Sequence, residues 1–233
     1  MIILLLLFLP LASALLRAPQ PVLQNATNGG SGCPVGTLIQ AKLLPLNTTT
    51  NDYPLVYSLS SITPSYGPFI PITEMRKNCA VYLNITVSPE WLIRVHQKGT
   101  WVQGFARLTD SSTRLLWRGG HTYYEAMHRV RSAFCFPSLP FVLFLVDVLK
   151  ILKNSSSLEI QGPFDGYFRQ FAPTSESEYP WVESPCGGGT LTINHQLRIV
   201  SGTAKELAWI GEPEEDTVWT FTTDVQVLKC MTK

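Results

Sequence analysis

The chain has 233 residues, a formal net charge of +1 and only 15% charged residues, so no basic stripe is available to hold a phosphate backbone and nucleic acid is excluded as a partner. Hydrophobic residues make up 45% of the chain, enough for a sizeable core. Its 17 prolines and 16 glycines are scattered throughout and weaken helix interiors by roughly 1 to 3 kcal/mol each, which argues against a helical bundle.

Taken in chain order, residues 1–14 are an apolar run closed by Ala12-Ser13-Ala14, the pattern of a signal peptide cleaved after Ala14. The run is too short for a membrane span, which needs roughly 20 apolar residues. Residues 15–28 read as a polar, proline-bearing, flexible mature N-terminus, and Gly29 to Pro34 as a tight turn held at Cys33. Period-two alternation then predicts strands over Thr37 to Leu44, Leu55 to Leu59 and Ala80 to Val87. In the last of these Val81, Leu83, Ile85 and Val87 share one face, which leaves Tyr82, Asn84 and Thr86 toward solvent. Further strands are predicted over Trp91 to His96, Trp101 to Leu108, Leu158 to Gln161, Thr190 to Val200 and Val218 to Leu228. The expected fold is all-β: a single antiparallel β-sandwich domain over residues 29–233, jelly-roll or Ig-like and disulfide-stabilised.

One stretch, residues 128–151, is dense in Phe, Leu and Val without alternation. Pro137, Pro140 and Asp147 interrupt it, so a transmembrane helix is disfavoured. A buried strand and the translation of an unspliced intron are the other two readings. The cysteines bear on this choice, because Cys33, Cys79, Cys135, Cys186 and Cys230 are five and an oxidising compartment would leave one unpaired. Setting aside Cys135 leaves four, with three connectivities open. The preferred pairing is Cys33 with Cys79 and Cys186 with Cys230, each closing a loop of about 45 residues for roughly 4 kcal/mol per bridge. There is no C-x-x-C spacing and no histidine ligand pair, so neither a metal nor a cofactor is expected. Four sequons, at Asn25, Asn47, Asn84 and Asn154, mark candidate N-glycosylation sites and reinforce a secreted, extracellular reading, free or wall-associated.

The ordered motifs Gly30-Ser-Gly-Cys-Pro34, Tyr66-Gly-Pro68, Arg76-Lys-Asn-Cys79, Gly162-Pro-Phe-Asp-Gly-Tyr167, Ser184-Pro-Cys-Gly187 and Leu191-Thr-Ile-Asn-His-Gln-Leu-Arg-Ile199 resemble a family of small secreted proteins. That family is common in filamentous fungi, present in bacteria, and catalogued only as a domain of unknown function (series number four-three-six-zero). The resemblance implies secretion, paired cysteines and a β fold; it brings no activity and no catalytic residues. It also marks residues 128–151 as an insertion, since the family runs more directly from the strand at Tyr123-Tyr124 to the Gly-Pro motif.

Catalytic patterns are sparse. No H-E-x-x-H or G-x-S-x-G occurs. His195 is the most placeable histidine, and Glu212, Glu214, Glu215 and Asp216 cluster beside Pro213 in what reads as a charged loop. Arg76 and Lys77 could hook a ligand at a strand entrance, and Trp181, in the loop-like Tyr179 to Pro185, is expected near the surface. Arg76, Lys77, Trp181 and His195 are thus the candidate binding residues. Two functions are weighed. The first is a secreted, non-catalytic module that binds an extracellular glycan or protein, at the cell wall or, effector-like, in contact with a host or competitor. The alternative is an extracellular hydrolase whose site is assembled by the fold from the Glu212 to Asp216 loop and His195.

Overall fold

The computed structural model describes residues 18–60, 62–123, 155–175, 181–201, 208–210 and 218–231. The expected signal peptide, the segment 128–151 with Cys135, Asn154 and the Glu212 to Asp216 loop all lie outside them. Among the described residues the strands are β1 (Val22–Gly29), β2 (Ile39–Leu43), β3 (Tyr53–Leu59), β4 (Ser65–Tyr66), β5 (Arg76–Thr86), β6 (Trp91–Leu108), β7 (Thr113–Tyr123), β8 (Ser155–Gln161), β9 (Phe164–Pro173), β10 (Val182–Glu183), β11 (Gly188–Ser201), β12 (Ala208–Ile210) and β13 (Trp219–Lys229). One 3₁₀ turn, Ile72–Met75, precedes β5.

These strands form two antiparallel sheets, one ordered β1-β5-β11-β7-β8 and the other β2-β3-β13-β6-β12-β4, with β9 and β10 also pairing to β6. The sheets bury their facing surfaces against each other, as the alternating sequence requires. In β3, Tyr53, Leu55, Tyr57 and Leu59 are buried, while Pro54, Val56 and Ser58 are only partly so. In β5 the buried set is Cys79, Val81, Leu83 and Ile85, which confirms the predicted facing of that strand. Phe221 of β13 sits at the centre of the core, its ring 5.3 Å from Tyr57, 5.7 Å from Trp117 and 6.2 Å from Trp219. Such aromatic pairs add about 0.5 to 1.5 kcal/mol each beyond the area they bury.

Both disulfides form, with the preferred connectivity. Cys33–Cys79 ties the turn after β1 to β5, and Cys186–Cys230 joins the entrance of β11 in one sheet to the exit of β13 in the other. The turn at Cys33 requires glycine at position 30, where φ is +142° and a Cβ would stand 2.4 Å from the carbonyl oxygen of Asn78. β7 and β8 pair directly, with Gly120 opposite Ser155.

Two expectations are corrected. The flexible N-terminus over residues 15–28 gives way to a strand from Val22, which pairs with β5 from Thr86 to Ala80. Trp91 to His96 and Trp101 to Leu108 are one strand, β6, carrying an irregularity at residues 96–99 where His96 has φ 66° and Gly99 φ 134°.

Candidate functional site

The outer face of the five-stranded sheet is laid out by register. One line across all five strands runs Gly29, Ala80, Asn194, Gly120, Ser155. The row on one side is Thr27, Tyr82, Thr192, Thr122, and the row on the other is Asn78, Gln196, Arg118, Ser157. The small residues Gly29, Ala80, Gly120 and Ser155 of the middle row, flanked on one side by the longer Asn78, Gln196 and Arg118, leave a trough at right angles to the strands, about 510 Å³ in volume. Its length is roughly four interstrand spacings, about 19 Å.

The trough is lined by amides and a guanidinium. Asn78, Asn194, Gln196 and Arg118 line it, and among the described residues no acidic side chain does. Arg118 Nη2 donates to Ser155 Oγ at 3.4 Å, which leans the guanidinium over the floor. The side-chain carbonyl of Gln196, oriented toward Arg76, accepts from Arg76 Nε at 3.0 Å. Arg76 and Arg198 stand opposite each other in register, so this end of the face is cationic. Tyr82 is 40% exposed and offers a ring beside the floor. Each amide both donates and accepts, and a guanidinium has five donors in a fixed fork. The set suits a ligand rich in hydroxyls.

The four predicted binding residues do not come together. Arg76 is exposed and abuts the trough through Gln196. Lys77 turns away and pairs with Glu74 at 2.5 Å. Trp181 is partly buried beside the other sheet, with the Arg94 guanidinium 4.5 Å from its ring centre and Arg94 in turn paired to Glu183. His195 is the clear correction, because it faces the core and is 2% exposed. Trp117 Nε1 donates to its Nδ1 at 3.2 Å, so Nε2 carries the proton and donates to Tyr57 Oη at 3.1 Å. Burial lowers its pKa to about 3. It is a neutral core histidine, and neither a ligand hook nor a general base for the alternative hydrolase. Its inward facing follows from its place between Ile193 and Leu197 in an alternating strand. The same alternation puts Asn194 and Gln196 outward, which is the signal that finds the trough.

The sequon asparagines are placed as follows. Asn25 and Asn84 are register partners on the same outer face, one row beyond Tyr82. Asn47 lies in the loop between β2 and β3, its Oδ1 accepting from Thr49 N at 3.0 Å. Among the described residues no helix is long and apolar enough to cross a membrane.

Comparison with solved structures finds sandwich proteins of low identity. A galactotriose-bound TmCBM61 structure is 8% identical with a TM-score of 0.23, covering 89% of this chain and 90% of that one. TmCBM27, described as a mannan-recognising carbohydrate-binding module, is 8% identical with a TM-score of 0.29, covering 91% and 99%. A family two carbohydrate esterase from Cellvibrio japonicus is 10% identical with a TM-score of 0.22, covering 89% of this chain and 36% of that one. No curated protein matches the sequence. The family that the ordered motifs resemble is the one whose model the sequence matches: residues 19–129 match the model of a domain of unknown function, DUF4360.

Proposed function

We propose that this protein is a secreted, non-catalytic glycan-binding module whose ligand, an oligosaccharide, lies across the five strands in the trough. The observation that carries the reading is the 510 Å³ trough lined by Asn78, Asn194, Gln196 and Arg118 with no carboxylate among them. Sugar hydroxyls both donate and accept, which is what amide side chains match, and the apolar C–H face of a pyranose packs on an aromatic ring such as Tyr82. Secretion is supported by the leader-like residues 1–14 and the two disulfides. N-glycosylation at Asn25 and Asn84 would place sugar on the same face beyond the Tyr82 row, flanking the trough rather than filling its floor.

Isothermal titration of the full chain with chitohexaose, cellohexaose, mannohexaose and hexagalacturonate tests the proposal. A hydrogen bond from a charged donor is worth about 1.5 to 3 kcal/mol, so Arg118→Ala should weaken the best of these ligands by about ten-fold or more. Undiminished affinity in Arg118→Ala, or no binding of any of the four, would overturn it.

A further inference from the structure

The opposite face of the molecule, the outer surface of the eight-stranded sheet, carries a second and chemically different groove. It has a volume of about 330 Å³ and lies where β6, β9 and β13 meet the loop before β3. Trp101 and Phe171 are register partners on β6 and β9, 41% and 42% exposed, with ring centres 5.2 Å apart and planes tilted by 52°. Arg169 lies over the Trp101 ring at 4.7 Å. Beside this aromatic wall are two carboxylates held in place. Asp224 accepts from the backbone N–H of Gln97 at 3.1 Å and of Lys98 at 3.0 Å, and Asp52 pairs with the Lys98 ammonium. Farther along the same two strands Phe105 and Tyr167 form another pair, 5.1 Å apart, about 13 Å from the first at strand spacing.

We propose that this groove is a second glycan site, one that takes the end of a sugar chain. An exposed aromatic pair next to fixed carboxylates matches the two surfaces of a pyranose, its apolar C–H face and its rim of hydroxyls. Each carboxylate oxygen that accepts one backbone hydrogen keeps capacity for a second donor. The volume suits one or two rings, whereas the trough on the other sheet spans the sheet. Two sites on opposite faces would let one molecule bridge two glycan chains. The residues are disjoint from those of the trough, so either site can stand without the other.

Asn47 lines this groove, so the test uses the full chain after endoglycosidase treatment, which leaves no long sugar of its own at that position to compete. Chitotriose, cellotriose and mannotriose are titrated separately while tryptophan emission is followed. At least one should shift the emission of the wild-type chain, and the shift should vanish in Trp101→Phe. Phe171→Ala, which keeps the reporter, should weaken binding by about ten-fold, while Arg118→Ala should leave it unchanged. No emission change with any trisaccharide, a shift that persists in Trp101→Phe, or an affinity insensitive to Phe171→Ala would each overturn the second site. Failure of the trough shows separately, as hexasaccharide binding that Arg118→Ala does not affect.

Discussion

Two neighbouring glycines of β7 separate packing from function at the scale of single residues. Gly119 faces the core, and a Cβ there would stand 2.6 Å from the Trp117 indole, a fully buried ring held by its hydrogen bond to His195. Gly120 faces outward into the trough, and a Cβ there would meet nothing within 4 Å. Gly119→Ala is therefore expected to destabilise the fold by about 1 to 3 kcal/mol through forced displacement of the indole. Gly120→Ala should be neutral or slightly stabilising, because alanine costs less backbone entropy than glycine in a strand. Chemical denaturation reads the first difference. A bulkier change at the open position, Gly120→Leu, should leave the midpoint nearly unchanged yet weaken hexasaccharide binding, since the side chain would fill the floor; a collapse of the fold on Gly120→Leu would contradict the assignment of that position to the trough.

At the scale of elements, the strands that were legible in the sequence are those whose two faces differ cleanly. β5 is the plainest case: Val81, Leu83 and Ile85 alternate with Tyr82 and Asn84, and its predicted facing holds in the structure. β1 escaped because a register shift between Leu23 and Asn25 breaks the period: Leu23 and Ala26, three apart, both pack on the core. β7 buries Trp117, Gly119, His121 and Tyr123 on its inner face, and β9 carries aromatics on both faces, so neither shows a hydrophobic rhythm. β6 was split in two by the irregularity at residues 96–99, and the device that holds it is Asp224. With β13 pairing Thr223 to Thr100 and Val225 to Val95, the intervening N–H groups of Gln97 and Lys98 turn to the Asp224 carboxylate. Asp224→Ala leaves those two donors without their acceptor and should cost about 2 to 4 kcal/mol, seen as a lower urea midpoint with an unchanged slope. A midpoint within error of wild type would show that water or a neighbour replaces the carboxylate. The candidate site was harder to see than the fold, because a trough depends on which outward positions are small in adjacent strands. That juxtaposition is set by register between residues as far apart as Gly29, Ala80, Gly120 and Asn194, and no single segment displays it.

The whole molecule couples to pH through the space between its sheets. His96 from β6, His121 from β7 and His195 from β11 are all buried there, and the rings of His96 and His121 stack with centres 3.9 Å apart. The groups around them are neutral. His96 meets the hydroxyls of Thr100 at 3.1 Å, Thr223 at 3.4 Å and Ser156 at 2.9 Å; His195 meets Tyr57 and Trp117; among the described residues neither nitrogen of His121 has a hydrogen-bond partner. Burial accordingly lowers the pKa of His96 to about 4 and that of His195 to about 3, and pushes His121 well below its usual value, helped by the two other histidines. A histidine whose folded pKa is depressed contributes stability that is full above its unfolded value, about 6.5, and is lost as pH falls toward the folded pKa. The gap at His96 alone corresponds to about 3 kcal/mol by pH 4, or roughly 6 to 12 °C in melting temperature for a chain of this size. Asp224 works in the opposite sense, since burial raises its pKa and its protonation offsets part of the loss. The melting temperature is thus expected to hold near neutrality and fall steeply between pH 6 and 4. His121→Phe should flatten that profile, because it removes a buried titrating ring whose nitrogens have no partner to orphan among the described residues. An unchanged slope in His121→Phe would instead assign the acid sensitivity to His96 and His195, whose hydrogen bonds then carry the whole effect.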